Sequence, residues 1–191
     1  RSPRTCWCLL PLLLALSPPA SLADDREAAR IYEQGLQAYD QGDQRAAVIH
    51  LKNALQMDPT ILPAHILLGR AYLDEGSGGA AERELQIALK LGADRALVLP
   101  ARGKSYILQR KFKQVVEQIY PTTGDSAVDE EILLLRGESH IELNELELAE
   151  RAFDQAAALK PDDAAPLLGK ANVLLKRGDD AAAEAQVITA I

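Results

Sequence analysis

Residues 46–59, AAVIHLKNALQMDP, have helically spaced apolar positions, no internal glycine and a proline that ends the run. The stretch returns in altered wording as AAERELQIALKLGA from Ala80 and as LAERAFDQAAALKP from Leu148. The numbering advances by 34 from Ala46 to Ala80 and by twice that from Ala80 to Leu148. A fixed period of this length decides the architecture before any motif does, because each period is one supersecondary unit.

Working outward, the units start at Ala28, Leu62, Ala96, Glu130 and Ala164, with no insertion needed to hold the phase. They cover 28–61, 62–95, 96–129, 130–163 and an incomplete 164–191. The eighth position reads Gly35, Gly69, Gly103, Gly137 and Ala171, and the twentieth Ala47, Ala81, Val115, Ala149 and Ala183. The twenty-fourth reads Leu51, Leu85, Ile119, Phe153 and Val187, and the twenty-seventh Ala54, Ala88, Thr122, Ala156 and Ala190. Each unit thus reads as two helices, A and B. Small residues at eight and twenty let their backbones approach, and the larger residue at twenty-four fills the space beside them. Positions 20, 24 and 27 share one helical face, which a lone hairpin cannot bury, so it packs on the next unit. Gly42, Gly76 and Gly178 mark A-to-B turns. Pro59 and Pro161 stop helix B, and Pro63 and Pro166 open the next helix A. Unit three is irregular. Its helix B, KFKQVVEQIY, is cut short by Pro121, TTGDS reads as a loop, and Pro100 predicts a helix A that starts late or kinks.

Composition agrees with an all-helical chain. Of 191 residues 48% are apolar, mostly Ala and Leu, and only 4% are aromatic. A net charge of −7 argues against nucleic-acid binding, which needs a basic surface. It suits a protein that meets other proteins.

Residues 1–23 differ from the rest. RSPR, CWCLLPLLLAL and SPPASLA follow one another as the charged, apolar and small-residue parts of a secretory leader. Cleavage between Ala23 and Asp24 is expected, leaving a repeat array over 24–191 in the periplasm or outer envelope. The apolar run is shorter than the ~20 residues that a membrane span needs. Cys6 and Cys8, the only cysteines, lie here without the context of a lipidation site, so the mature part holds neither disulfide nor thiolate metal site. The chain lacks an initiating Met and stops inside the apparently helical AAAEAQVITAI, which reads as a piece of a longer protein.

No residues assemble into a catalytic or metal set, and no cofactor is expected. His50, His65 and His140 fall at unrelated positions and read as packing residues, His140 standing where Tyr72 and Tyr106 stand in their units. Asp24-Asp25, Asp129-Glu130-Glu131, Asp162-Asp163 and Asp179-Asp180 precede or open helices, where carboxylates cap free N–H groups. Gly76 to Gly79 lack the Lys-Ser/Thr of a phosphate loop.

The period of 34, the small residue at eight, Tyr72 and Tyr106 at eleven, Ala at twenty and Pro at thirty-two resemble the tetratricopeptide repeat over 28–191. The resemblance implies an all-α, right-handed α-solenoid of five helical hairpins. The wording of 32–59 and 66–93 behind a leader is similar to the PrsT family, the tetratricopeptide proteins of exosortase/PEP-CTERM systems. That implies an envelope role beside exopolysaccharide production and surface-protein sorting.

In tetratricopeptide arrays helix A lines the concave side, and positions 2, 5, 9 and 12 face its groove. Position five is then Tyr32, Ile66, Pro100, Leu134 and Leu168. Position nine is Leu36, Arg70, Lys104, Glu138 and Asn172, and position twelve is Tyr39, Leu73, Ile107, Ile141 and Leu175. An apolar groove with two tyrosines at one end and two cations in the middle is a place for a partner's peptide segment, acidic if Arg70 and Lys104 hold it. Tyr32, Tyr39, Arg70 and Lys104 are the candidate binding residues. The carboxylate clamp of chaperone adaptors is not carried over, since Tyr32 and Leu36 stand at two of its positions. The function expected is a non-enzymatic envelope scaffold with protein partners, membrane-associated machinery among them. The alternative is the docking arm of an enzyme whose catalytic domain lies beyond Ile191.

Overall fold

The computed structural model describes residues 20–190, all ten of whose elements are helices. They pair as five hairpins: α1 (Ala20–Asp40) with α2 (Gln44–Met57), α3 (Leu62–Asp74) with α4 (Gly78–Lys90), and α5 (Arg95–Leu108) with α6 (Phe112–Gln118). The series ends with α7 (Ser126–Glu142) and α8 (Leu146–Leu159), then α9 (Ala165–Arg177) and α10 (Asp180–Ala190). Each helix packs on the next, and each helix A also packs on the following helix A. Among the described residues successive B helices do not meet. The array is therefore closed on the A side and splayed on the B side, which makes the A layer concave. The expected leader lies outside the described residues except for 20–23, which begin α1, so that helix runs across the expected cleavage point. Among the described residues no helix is long and apolar enough to cross a membrane.

The repeat columns become the core. Ala47, Leu51, Ala54, Ala81, Leu85, Ala88, Val115, Ile119, Ala149 and Ala156 are fully buried, and Phe153 nearly so. Thr122 and Val187 depart from their columns and are exposed: Thr122 lies past the end of α6, and Val187 is in the last hairpin. The eighth-position glycines work differently from the expectation that two small residues meet. A Cβ on Gly35 would stand 2.8 Å from Leu51 Cγ, one on Gly69 2.8 Å from Leu85 Cγ, and one on Gly137 2.5 Å from the Phe153 ring. In these three units the glycine makes room for the side chain at twenty-four itself, whereas Gly103 makes room for Leu135 of the next unit. The A-to-B turns share one geometry: Gly42, Gly76, Arg110, Asn144 and Gly178, each one repeat on from the last, have φ of 77, 74, 57, 59 and 81°. The left-handed turn is thus imposed by the hairpin even where a side chain resists it.

Three local expectations need correction. α5 does not start late, because Asp94 caps it by accepting from the Ala96 N–H at 2.9 Å, and Pro100 is carried inside the helix. Asp24 and Asp25 do not open a helix, since α1 has already begun. Asp129 and Glu130 do not cap α7 either: Asp125 does, accepting from the Ala127 N–H at 2.8 Å, and the helix begins at Ser126. Asp129 instead holds the preceding loop through Thr123, and buried Glu130 pairs with Lys160 at 2.9 Å. Asp163 and Asp179 do cap, accepting from Ala165 and Ala182 N–H at 2.8 and 3.1 Å.

Units two and three are joined by a polar link. Glu82 Oε2 accepts from Lys111 Nζ at 2.7 Å and Gln109 Nε2 at 2.9 Å. Burial alone would raise the Glu82 carboxyl, but the hydrogen bonds from Lys111 and Gln109 and the Lys111 charge outweigh it, so its pKa falls below the ordinary 4.5. A depressed carboxylate stabilises the fold above its unfolded pKa, and the contribution disappears as pH falls through the folded value. Glu82→Gln is therefore expected to lower stability at pH 7 and to flatten the loss of stability below pH 4.5, measured by urea denaturation between pH 3 and 7.

Candidate partner-binding groove

The groove is built by one choice repeated five times. Positions 9 and 12 lie three residues apart on helix A and so share a face. The side chains of columns nine and twelve line three contiguous hollows. The first is lined by Tyr39, Arg70, Leu73, Asp74, Pro100, Lys104 and Glu131, among others. The second shares Leu73, Asp74 and Lys104 with it and adds Ile107 and Glu138. The third shares Ile107 and Glu138 and runs on to Ile141, Asn172, Leu175 and Lys176. The floor is a row of Leu73, Ile107, Ile141 and Leu175, of which Leu175 is 52% exposed.

Three of the four candidate residues come together. Tyr39, Arg70 and Lys104 line the first hollow. Tyr32 does not line it; it packs against the cluster of Leu51, Ala64, Leu67 and Leu68. The Tyr39 hydroxyl donates to Asp74 Oδ2 at 2.9 Å, and burial, then this bond, raise its pKa. Burial likewise raises Tyr32. Lys104 is paired, its Nζ 2.6 Å from Glu131 Oε1, and Arg110 stands 3.5 Å from Glu142. Exposed pairs of this kind contribute at most about 1 kcal/mol each. Among the described residues Arg70 reaches only the Leu97 carbonyl, at 3.5 Å.

The groove is therefore of mixed charge rather than cationic. Asp74, Glu131, Glu138 and Glu142 balance Arg70, Lys104, Arg110 and Lys176. Glu131 and Asp74 are not among the candidates that the sequence offers. Glu131 sits at position two, a groove column, where it meets position nine of the preceding unit; that cross-unit register is the signal that finds it. Asp74 is next to a groove column and becomes visible only through Tyr39.

Two of the three histidines, His65 and His140, are held as packing residues, and His50 is half-exposed on α2. His65 is buried, its ring nitrogens 2.7 Å from Glu84 Oε2 and 3.0 Å from the Pro59 carbonyl. His140 is buried with Nδ1 2.7 Å from Glu145 Oε2. Among the described residues no group of three or more His, Cys, Asp or Glu is placed to hold a metal ion.

Comparison with known proteins supports the same architecture. The tetratricopeptide-repeat family matches residues 38–104 and again residues 134–191. No curated protein sequence matches the chain. Among solved structures, a crystal structure of MamA superposes with a TM-score of 0.74 at 17% identity, covering 85% of this chain and 89% of that one. MamA from Desulfovibrio magneticus RS-1, residues 41 to the end, gives 0.71 at 16%, with 87% and 93% covered. Pseudomonas aeruginosa pilF gives 0.65 at 18%, with 88% and 78% covered. Likeness at this level of identity is one of fold.

Proposed function

The chain belongs to the tetratricopeptide-repeat family, and from that premise we propose that it is a non-enzymatic scaffold that holds a partner protein's segment in its concave groove. One observation carries the proposal: the groove is continuous over all five units, apolar along its floor and charged along its walls. A surface of that kind, long and apolar with polar edges, is where a segment of another protein is recognised. The leader-like composition of residues 1–23 supports a site of action outside the cytoplasmic membrane. The similarity of residues 32–59 and 66–93 to exosortase-associated proteins makes polysaccharide-export or protein-sorting components the partners proposed.

The test is site-specific photo-crosslinking in the envelope of the native host. Photo-reactive residues at Leu73 and Leu175 sample the groove, and one at Ile49, 58% exposed on α2, samples the outer face. Groove positions are expected to capture a partner that Ile49 does not. Exosortase or export components in that product support the finer proposal. Capture from Ile49 alone moves the binding surface to the B side.

A further inference from the structure

Two B helices place the same three side chains at the same spacing. Arg45, Ile49 and Lys52 on α2, and Arg83, Ile87 and Lys90 on α4, stand at i, i+4 and i+7 and so lie along one face of their helix. The two triplets are 38 residues apart, about one helical turn out of phase with the period of 34, so the repeat does not account for the recurrence. All six residues are exposed, away from buried Ala47, Leu51 and Ala54 in α2 and Ala81, Leu85 and Ala88 in α4. That is the outer side of the array, opposite the groove. At the positions of the α2 triplet, unit three has Lys113, Glu117 and Tyr120 and unit four has Glu147, Arg151 and Asp154.

The chain is acidic, yet this face is not. α2 contains no Asp or Glu. The two carboxylates of α4 are engaged elsewhere, Glu82 by Lys111 and Gln109 and Glu84 by His65. Among the described residues none of Arg45, Lys52, Arg83 and Lys90 forms an ion pair. The net charge of −7 gathers in unit four instead, where residues 130–163 hold ten carboxylates against three cations. Unit four is two units away from α4, each packing distance being about 8–10 Å. Charges are screened over about 8 Å at physiological salt, so the acids of unit four do not cancel the cations of α2 and α4.

Cations that alternate with exposed apolar side chains suit a surface that is anionic at one depth and apolar just below it. A bilayer with acidic headgroups is such a surface. Its phosphates meet the ammonium and guanidinium groups, and the acyl boundary takes Ile49 and Ile87 with the aliphatic stems of the cations beside them. Met57 and Leu91, exposed at the ends of the same helices, extend the apolar part. A soluble polyanion would engage the cations and leave both isoleucines in water. We propose that the outer face of α2 and α4 rests on an anionic lipid surface, with the groove turned away from the bilayer and open to a partner. The shape suits this contact, because a plane touches a convex surface along one or two neighbouring ridges, and α2 and α4 are successive ridges of the outer side. The inference does not depend on what the groove binds.

Density flotation of the whole chain compares vesicles of phosphatidylcholine with and without phosphatidylglycerol. The apolar run within residues 1–23 can carry the chain onto either kind, so the anionic-to-neutral ratio of binding is read. That ratio is expected to fall about fivefold for each cation removed in Lys52→Gln, Lys90→Gln. The pair Lys113→Gln, Arg151→Gln makes the same change in net charge on the outer side of units three and four and should leave the ratio unchanged. Ile49→Ser, Ile87→Ser should lower it about tenfold. A photo-reactive residue at Ile87 should label lipid, and one at Gln155, exposed on α8, should not. All the substituted residues are exposed, so the fold is retained, which circular dichroism checks. A ratio near one, equal losses in the two pairs of charge variants, or equal labelling from the two positions overturns the proposal. Loss with the lysines and none with the isoleucines points to a soluble polyanion and overturns it as well.

Discussion

Gly169→Ala is expected to destabilise the last two units by about 2–3 kcal/mol, the cost of forcing a methyl group into a filled core. Gly in a helix interior normally gains about 1 kcal/mol on replacement by Ala, so the sign of the result decides between propensity and packing. Packing wins here. A Cβ on Gly169 would overlap the Phe153 ring, and one on Gly137 would stand 2.5 Å from the same edge, Cδ1–Cε1–Cζ. Phe153 is 1% exposed, and the same edge of its ring already lies against both glycines, so it has little room to yield. The other units show the compensating change. Position 24 shares a cluster with position six of the following unit: Leu51 with Leu67, Leu85 with Ala101, Ile119 with Leu135. The Leu85–Ala101 combination is the one that Phe153→Leu, Gly169→Ala would install. The double variant should therefore be more stable than Gly169→Ala alone, in a urea double-mutant cycle followed by circular dichroism. If the two costs simply add, the two positions do not share a space.

The second large effect is expected at Arg136. Its guanidinium donates through Nη1 to the carbonyls of Val116 at 2.8 Å and Ile119 at 2.9 Å and lies 4.9 Å from the centre of the Tyr120 ring. These carbonyls close α6, the seven-residue helix B of unit three. A helix that short has no intrinsic stability, so unit three depends on α7 for its shape. Arg136→Ala is expected to cost about 3 kcal/mol, since each charged hydrogen bond contributes roughly 1.5–3 kcal/mol. Amide exchange should rise through residues 112–120 first. Arg136→Lys should recover less than half, because an ammonium cannot serve two carbonyls and stack on a ring as a planar guanidinium does. Full recovery by Lys would mean that charge alone matters there. Because repeat arrays are coupled by nearest neighbours, loss of unit three would also uncouple units one and two from four and five.

Both effects bear on the groove. Its floor is continuous only if Ile107 of α5 and Ile141 of α7 stay in register, and between them the outer layer is a single short helix. Arg136, together with the Lys104–Glu131 and Arg110–Glu142 pairs on the inner side, holds that junction.

The repeat period determined the fold by itself. Ala47, Leu51 and Ala54 and their counterparts recur because helical spacing puts them on one face, and that face is buried in units one, two and four, and in unit three as far as Ile119. The turns were legible as Gly42, Gly76 and Gly178, and the groove columns as positions nine and twelve. These are local properties, fixed by residue type and spacing along one chain segment. What only the tertiary structure decided lies between units. No spacing rule announces that Phe153 needs Gly169, that Glu131 neutralises Lys104, or that Tyr39 and Tyr32 pack against one core cluster while only Tyr39 reaches the groove and Asp74. Those facts depend on the offset between helices of successive hairpins, which packing sets by fractions of a side chain. Pro100 teaches the same in reverse: its local preference argues for a late start, and the cap at Asp94 and the contacts on both sides of α5 override it.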